Sequence, residues 1–136
     1  MTAKACVFCE IVAGRTPAHV VYEDERWFGF LDVRPLFGGH TLLVPRAHHA
    51  AIWDLPDDLA AELTSTVQRV SVAVRDAMGA DGIFNAVNNI VSQSVPHVHV
   101  HVVPRRRKDG LRGFFWPRTK YASDEEAADV AGRISD

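Results

Sequence analysis

Two cysteines are the whole thiol supply of this 136-residue chain, and they stand three positions apart. That excludes the disulfide framework of small secreted domains. Long apolar runs are missing too: nothing approaches the roughly 20 residues needed to span a bilayer. The opening Met1-Thr2-Ala3-Lys4-Ala5-Cys6 carries one positive charge and no apolar stretch, so no signal peptide is expected, and the cytoplasm is the expected compartment. Neither sign of charge dominates, since 15 basic against 17 acidic residues leave a net charge of −2. There is no global pull toward nucleic acid or membranes, and neither is an expected partner. No internal repeat, linker or low-complexity tract divides the chain. With 47% hydrophobic and 24% charged residues, a single domain over residues 1–136 is the natural count.

What the chain does have is histidine, crowded into one place. Pro96-His97-Val98-His99-Val100-His101-Val102-Val103-Pro104 alternates imidazoles with β-branched residues. That pattern favours a strand with valines on one face and histidines on the other. The prolines mark where ladder hydrogen bonding can stop. Along such a strand the outer histidines lie about 13 Å apart, too far to share one ion with Zn–N bonds of about 2.0–2.1 Å. Two adjacent histidines suffice for a metal, and a metal-dependent hydrolase using His97 and His99 is one reading. A row of imidazoles is better suited to a line of phosphate oxygens.

The other elements follow from local pattern. Cys6-Val7-Phe8-Cys9 is a metal knuckle, a redox pair or an accident. Too few residues precede it for the strand that a thioredoxin-type pair follows. Cys9 to Ala13 reads as a short helix stopped by Gly14. His19–Glu23 and Arg26–Leu31 form a hairpin, and His40–Pro45 is a third strand apolar enough to be buried on both faces. Asp54-Leu55-Pro56-Asp57 starts a helix with Asp54 as cap. Leu59, Leu63, Val67, Val70 and Val74 stripe one face of it, Glu62 lies on the solvated side, and Gly79 ends it. Ile83–Asn88 is a fourth strand, and Asp124–Ile134 is a terminal helix. Arg105-Arg106-Arg107-Lys108 is basic and Phe114-Phe115-Trp116 aromatic; a solvated surface loop is the expected role of the basic run. The architecture expected is α+β. About five mostly antiparallel strands form the sheet, one long helix covers a face, short helices stand at the termini, and the histidine strand runs near the centre.

His97-Val98-His99-Val100-His101-Val102-Val103 resembles the signature of the histidine triad (HIT) superfamily, nucleotidyl hydrolases and transferases. Tyr22–Glu25, Phe30–Pro35, Gly39–Arg46 and Gln93-Ser94-Val95 match further family stretches in the expected order. The resemblance covers residues 6–105, leaves 106–136 as a tail, and is closest to the zinc-bearing bacterial members of the nucleoside phosphoramidase branch. It implies His99 as nucleophile at the α-phosphorus, with His101, His40, Gln93 and Ser94 assisting. It also implies Asp32 on the ribose, with Val33, Phe8, Ile11 and Asn88 around the nucleotide. Structural Zn²⁺ on Cys6, Cys9, His48 and His97, no catalytic metal, a purine nucleotide or conjugate as substrate, and a homodimer are implied as well. His49 beside His48 is the rival ligand. A dinucleoside polyphosphate hydrolase, or a catalytically weak nucleotide-binding module, is the alternative. The loop Asn89-Ile90-Val91-Ser92 departs from the family by being shorter and without glycine, a residue that takes left-handed conformations without steric cost.

Overall fold

The structure, a computed structural model, describes residues 5–111 and 116–135; Phe114 and Phe115 of the aromatic run lie outside them. Helix α1 (Val7–Val12) precedes the strands β1 (Val20–Glu23), β2 (Trp27–Leu31) and β3 (Thr41–Pro45). Helix α2 (Asp57–Met78) leads to β4 (Gly82–Ala86), and β5 (Val100–Arg105) and helix α3 (Asp124–Ser135) complete the order. The strands form one sheet ordered β1-β2-β3-β5-β4, with antiparallel pairing throughout. The expected α+β architecture is the observed one, and the histidine strand lies one place from the edge strand β4.

Alternation along the strands builds two apolar layers. Leu43, Val98, Val100 and Val102 face α2, where Leu59, Val70 and Val74 close over them together with Trp27. Leu42, Val44, Phe28 and Phe30 face the other way, onto Cys6 and Phe8 of the amino-terminal segment. Burying a valine or leucine side chain contributes about 1.5–3 kcal/mol, so these layers fix the register: a slip of one residue would invert both faces. Val98, Val100 and Val102 thus claim the α2 side, and the intervening histidines are turned toward α1.

The element boundaries correct the sequence reading in several places. Helix α2 is capped by Pro56, not Asp54. Asp54 ends a 3₁₀ turn (Ile52–Asp54), its carboxylate accepts the Ala51 N–H at 3.0 Å, and Leu55 is extended. Glu62 is not merely solvated: it accepts hydrogen bonds from Arg26 and, at 3.2 Å, from the indole N–H of buried Trp27. Strand β4 stops at Ala86. Strand β5 starts at Val100 because the Val98 N–H bonds the His49 carbonyl at 2.7 Å rather than a ladder partner. It then runs through Pro104, opposite Ile83, to Arg105, since proline forfeits one donor and keeps its carbonyl.

The turn that delivers β3 rests on the far end of α2. Gly39 has φ +97°, and a Cβ there would lie 2.6 Å from Met78 Cγ and 3.4 Å from Pro104 Cγ. Both the left-handed backbone and the contact require glycine. Gly39→Ala is expected to destabilise the fold by about 1–3 kcal/mol, read as a lowered urea midpoint; an unchanged midpoint would show that Met78 moves aside freely.

Candidate functional site

His99 is buried, and its Nδ1–H donates to the His97 carbonyl at 2.8 Å. That bond leaves the lone pair on Nε2. Burial lowers its pKa, opposed by the carbonyl bond and by the charge of Asp32, so the ring stays neutral. A neutral imidazole with one nitrogen committed and the other free has the tautomer that a nucleophilic role requires.

A second chain of imidazoles lies beside it. The Leu36 backbone N–H donates to His40 Nδ1 at 3.1 Å, so His40 carries its proton on Nε2. That nitrogen is 2.9 Å from His101 Nδ1, which therefore accepts, and the proton of His101 falls on Nε2. The chain ends in one N–H donor adjacent to His99, whose ring centroid is 5.1 Å from that of His101. Burial, then the neighbouring His99 and His40, push the His101 pKa down to about 4. His40 is lowered by burial against the pull of Asp32, whose Oδ2 is 3.7 Å from His40 Nε2. The Oδ1 of Asp32 accepts the Arg34 N–H at 2.9 Å, which fixes the carboxylate beside the histidines.

On the amino-terminal side, Cys6, Cys9, His48 and His97 converge with ligand atoms all within 4.8 Å of one another. His97 Nδ1 is 3.4 Å from Cys6 Sγ and 3.5 Å from Cys9 Sγ, and His48 Nδ1 is 3.4 Å from Cys9 Sγ. The Nε2–H of His97 donates to the Pro45 carbonyl at 2.8 Å, which directs the Nδ1 lone pair at the thiols as metal-ligating histidines require. Burial, then Cys6, push the Cys9 thiol up to about 11. A cation among these four donors would offset that penalty by binding the thiolate. Two sulfurs and two nitrogens suit a closed tetrahedral zinc site. Asp32, His40 and His101 also come within 4.8 Å, yet the Leu36 N–H leaves a proton, not a lone pair, on the His40 nitrogen that faces them. His49 joins neither cluster, and neither does His99.

The other candidates are spread around this centre. Phe8 is 6% exposed and Val33 87%, with Ile11 and Asn88 half-buried. Gln93 spends its amide locally: Nε2 donates to the Ala50 carbonyl at 2.6 Å and Oε1 accepts the Ile90 N–H at 3.1 Å. Ser94 is exposed. The glycine-free loop adopts left-handed backbone all the same, with φ +70° at Ile90 and +63° at Ser92, a strain of about 1–3 kcal/mol each. Sequence reasoning missed the Leu36 N–H and the Pro45 and Ala50 carbonyls. As backbone groups they leave no signal in residue identity. Asn89, whose side chain accepts the Ile52 N–H at 2.8 Å, was legible only as a loop residue.

An α+β fold that carries a row of neutral imidazoles on one strand narrows the class of protein, and comparison with known proteins names it. The HIT domain model matches residues 13–108. An uncharacterised HIT-like protein of Methanocaldococcus jannaschii is 44% identical over 77% of this chain and 82% of its own. A HIT-family crystal structure from Bacillus subtilis superposes with TM-score 0.86 at 33% identity, covering 96% of this chain and 95% of that one. A Zn-bound histidine triad protein from Mycobacterium smegmatis gives 0.76 at 37%, covering 98% and 99%. An adenylylsulfatase of Arabidopsis thaliana is 36% identical over 78% of this chain and 55% of its own. An adenosine 5′-monophosphoramidase of Candida albicans is 28% identical over 83% and 78%. The chain belongs to the HIT family.

The buried histidines carry a pH signature. From pH 6.5 down to about 4, the unfolded chain takes up a proton at His101 that the folded chain refuses, so stability falls as pH falls through that window. Urea midpoints are expected to decline from pH 7 to pH 4, less steeply in His101→Asn. A wild-type midpoint independent of pH would contradict the neutral chain.

Proposed function

We propose that the protein hydrolyses purine nucleoside phosphoramidates or related nucleotide conjugates at the α-phosphate, through a nucleotidyl-histidine intermediate. The observation that carries this reading is the His99 Nδ1–H bond to the His97 carbonyl. It aims a lone pair from Nε2 without any further proton removal. Nε2 attacks the α-phosphorus, the P–N or P–O bond to the leaving group breaks, and water then cleaves the histidine adduct to release the nucleotide. His101, with its proton on Nε2, would donate to phosphate oxygens as charge develops there, and His40 holds that tautomer. Asp32 offers two acceptor oxygens to a vicinal diol, and Val33, Ile11 and Asn88 surround the base. Relatives bearing phosphoramidase and adenylylsulfatase names support the substrate class.

The Cys6, Cys9, His48 and His97 cluster is proposed to hold one structural zinc. With four protein donors the ion's contribution is to tie the amino terminus to the start of the histidine strand. The Zn-bound mycobacterial neighbour supports this. A twofold homodimer with joined sheets and a cytoplasmic location complete the proposal, the first being also the commonest oligomer.

One observation favours a second reading. With the Gln93 amide held by Ala50 and Ile90, the loop offers fewer donors to phosphate, which suits a nucleotide-binding module of low turnover. AMP release from adenosine 5′-phosphoramidate decides between the two. Wild type is expected to turn over, and folded His99→Ala to retain less than about one ten-thousandth of the rate. Nucleotide affinity without turnover in wild type would favour the second reading, and equal rates in both proteins would remove His99 from the mechanism. For the metal, one zinc per chain is expected in wild type and in His49→Ala, with loss in His48→Ala; the reverse pattern would exchange the two ligands.

A further inference from the structure

Phe8 stands on α1 between the two cysteines, and its surroundings fit poorly with a wall that only greets a base. Its ring meets His99 edge-to-face, with centroids 5.0 Å apart and planes at 85°, and meets His97 at 5.9 Å and 73°. Phe30 backs it at 5.4 Å. Only 6% of the residue is exposed, which leaves little area for a ligand.

We propose that Phe8 is a positioning residue for His99, holding the nucleophile's ring and making its placement depend on the Cys6–Cys9 turn. The inference rests on the catalytic reading above. The bond from Nδ1 to the His97 carbonyl fixes the tautomer and limits rotation of the ring about its bond to Cβ, but a hydrogen bond tolerates about 30° of misalignment, so some swing remains. The Phe8 contact opposes that swing. Both restraints start from the same cluster: His97 supplies the carbonyl, and Cys6 and Cys9, within 3.4–3.5 Å of His97 Nδ1, bracket Phe8. Helix α1 has six residues, too few to hold its own shape in water. The position of Phe8 is therefore set by its packing and by the cysteines at either side.

In-line attack requires the reacting atoms about 3–3.5 Å apart and aligned, and a misplacement of about 1 Å can cost about 100-fold in rate. A positioning role thus appears in kcat, whereas a base-slot role appears in KM. The test is Phe8→Leu, with Phe8→Met made alongside in case leucine fails to fold. It compares zinc per chain, thermal melting, kcat and KM for AMP release from adenosine 5′-phosphoramidate, and the proton NMR signal of His99 Nδ1–H. The expected result is zinc and cooperative melting retained, KM within about twofold, kcat down about 10–100-fold, and a broadened Nδ1–H signal. A raised KM with kcat preserved would overturn the proposal in favour of a base wall, and so would unchanged kinetics. Loss of zinc or fold in both variants would make Phe8 a support of the knuckle instead. Should wild type release no AMP, the catalytic reading fails on its own, and the resonance still decides: broadening in the variants supports positioning, and an unchanged signal refutes it.

Discussion

The site depends on one residue used three ways. His97 donates from Nε2 to the Pro45 carbonyl, turns Nδ1 toward two thiols, and lends its own carbonyl to His99. The first bond ties the entry of the histidine segment to the end of β3. The second ties it to the amino terminus, and the third orients the imidazole two positions later. Removing the side chain would unlink two of these at once, in an interior where unpaired polar groups cost about 1–3 kcal/mol each. The buried side-chain polar atoms of the described residues all have partners, so the centre has little slack to absorb such a loss.

Two layers of packing keep this arrangement in place. Val98, Val100 and Val102 belong to the α2 core and the histidines to the α1 side, so the chemistry sits on the reverse of a wall of apolar contacts. The tautomer chain from Leu36 through His40 to His101 adds directionality. One backbone N–H at its start determines where the protons of two imidazoles reside. Because burial keeps His40, His99 and His101 neutral, hydrogen bonds rather than charge set the order of the site, and the N–H donor on His101 Nε2 is oriented in advance.

How far the sequence disclosed this varies by residue. Strict alternation made the facing of Val98, Val100 and Val102 readable, and the stripe Leu59–Val74 made α2 readable, because periodicity is a direct image of burial. Cys6, Cys9, His48 and His97 are scattered over more than ninety positions; each alone is weak evidence, and only the HIT resemblance singled them out as a set. The cap of α2 was misplaced because Asp54 found a nearer partner in Ala51. The role of Glu62 was missed because its indole partner lies on another element. Backbone groups such as the Leu36 N–H have no side-chain signature at all, so the tautomers became readable only with coordinates.

Helix α2 is gripped at both ends. Near its start, Asp58 and Glu62 hold Arg26 beside β2. At its finish, Met78 lies under Gly39, and Arg106 donates to the Met78 carbonyl at 2.6 Å. Its 22 residues therefore act as a ruler of about 33 Å between one corner of the sheet and the turn that presents His40. A residue added or lost inside that span would rotate the far end by about 100° and carry Met78 off its seat. Changes of length belong in the surface loops; within the helix, the measure itself is part of the site.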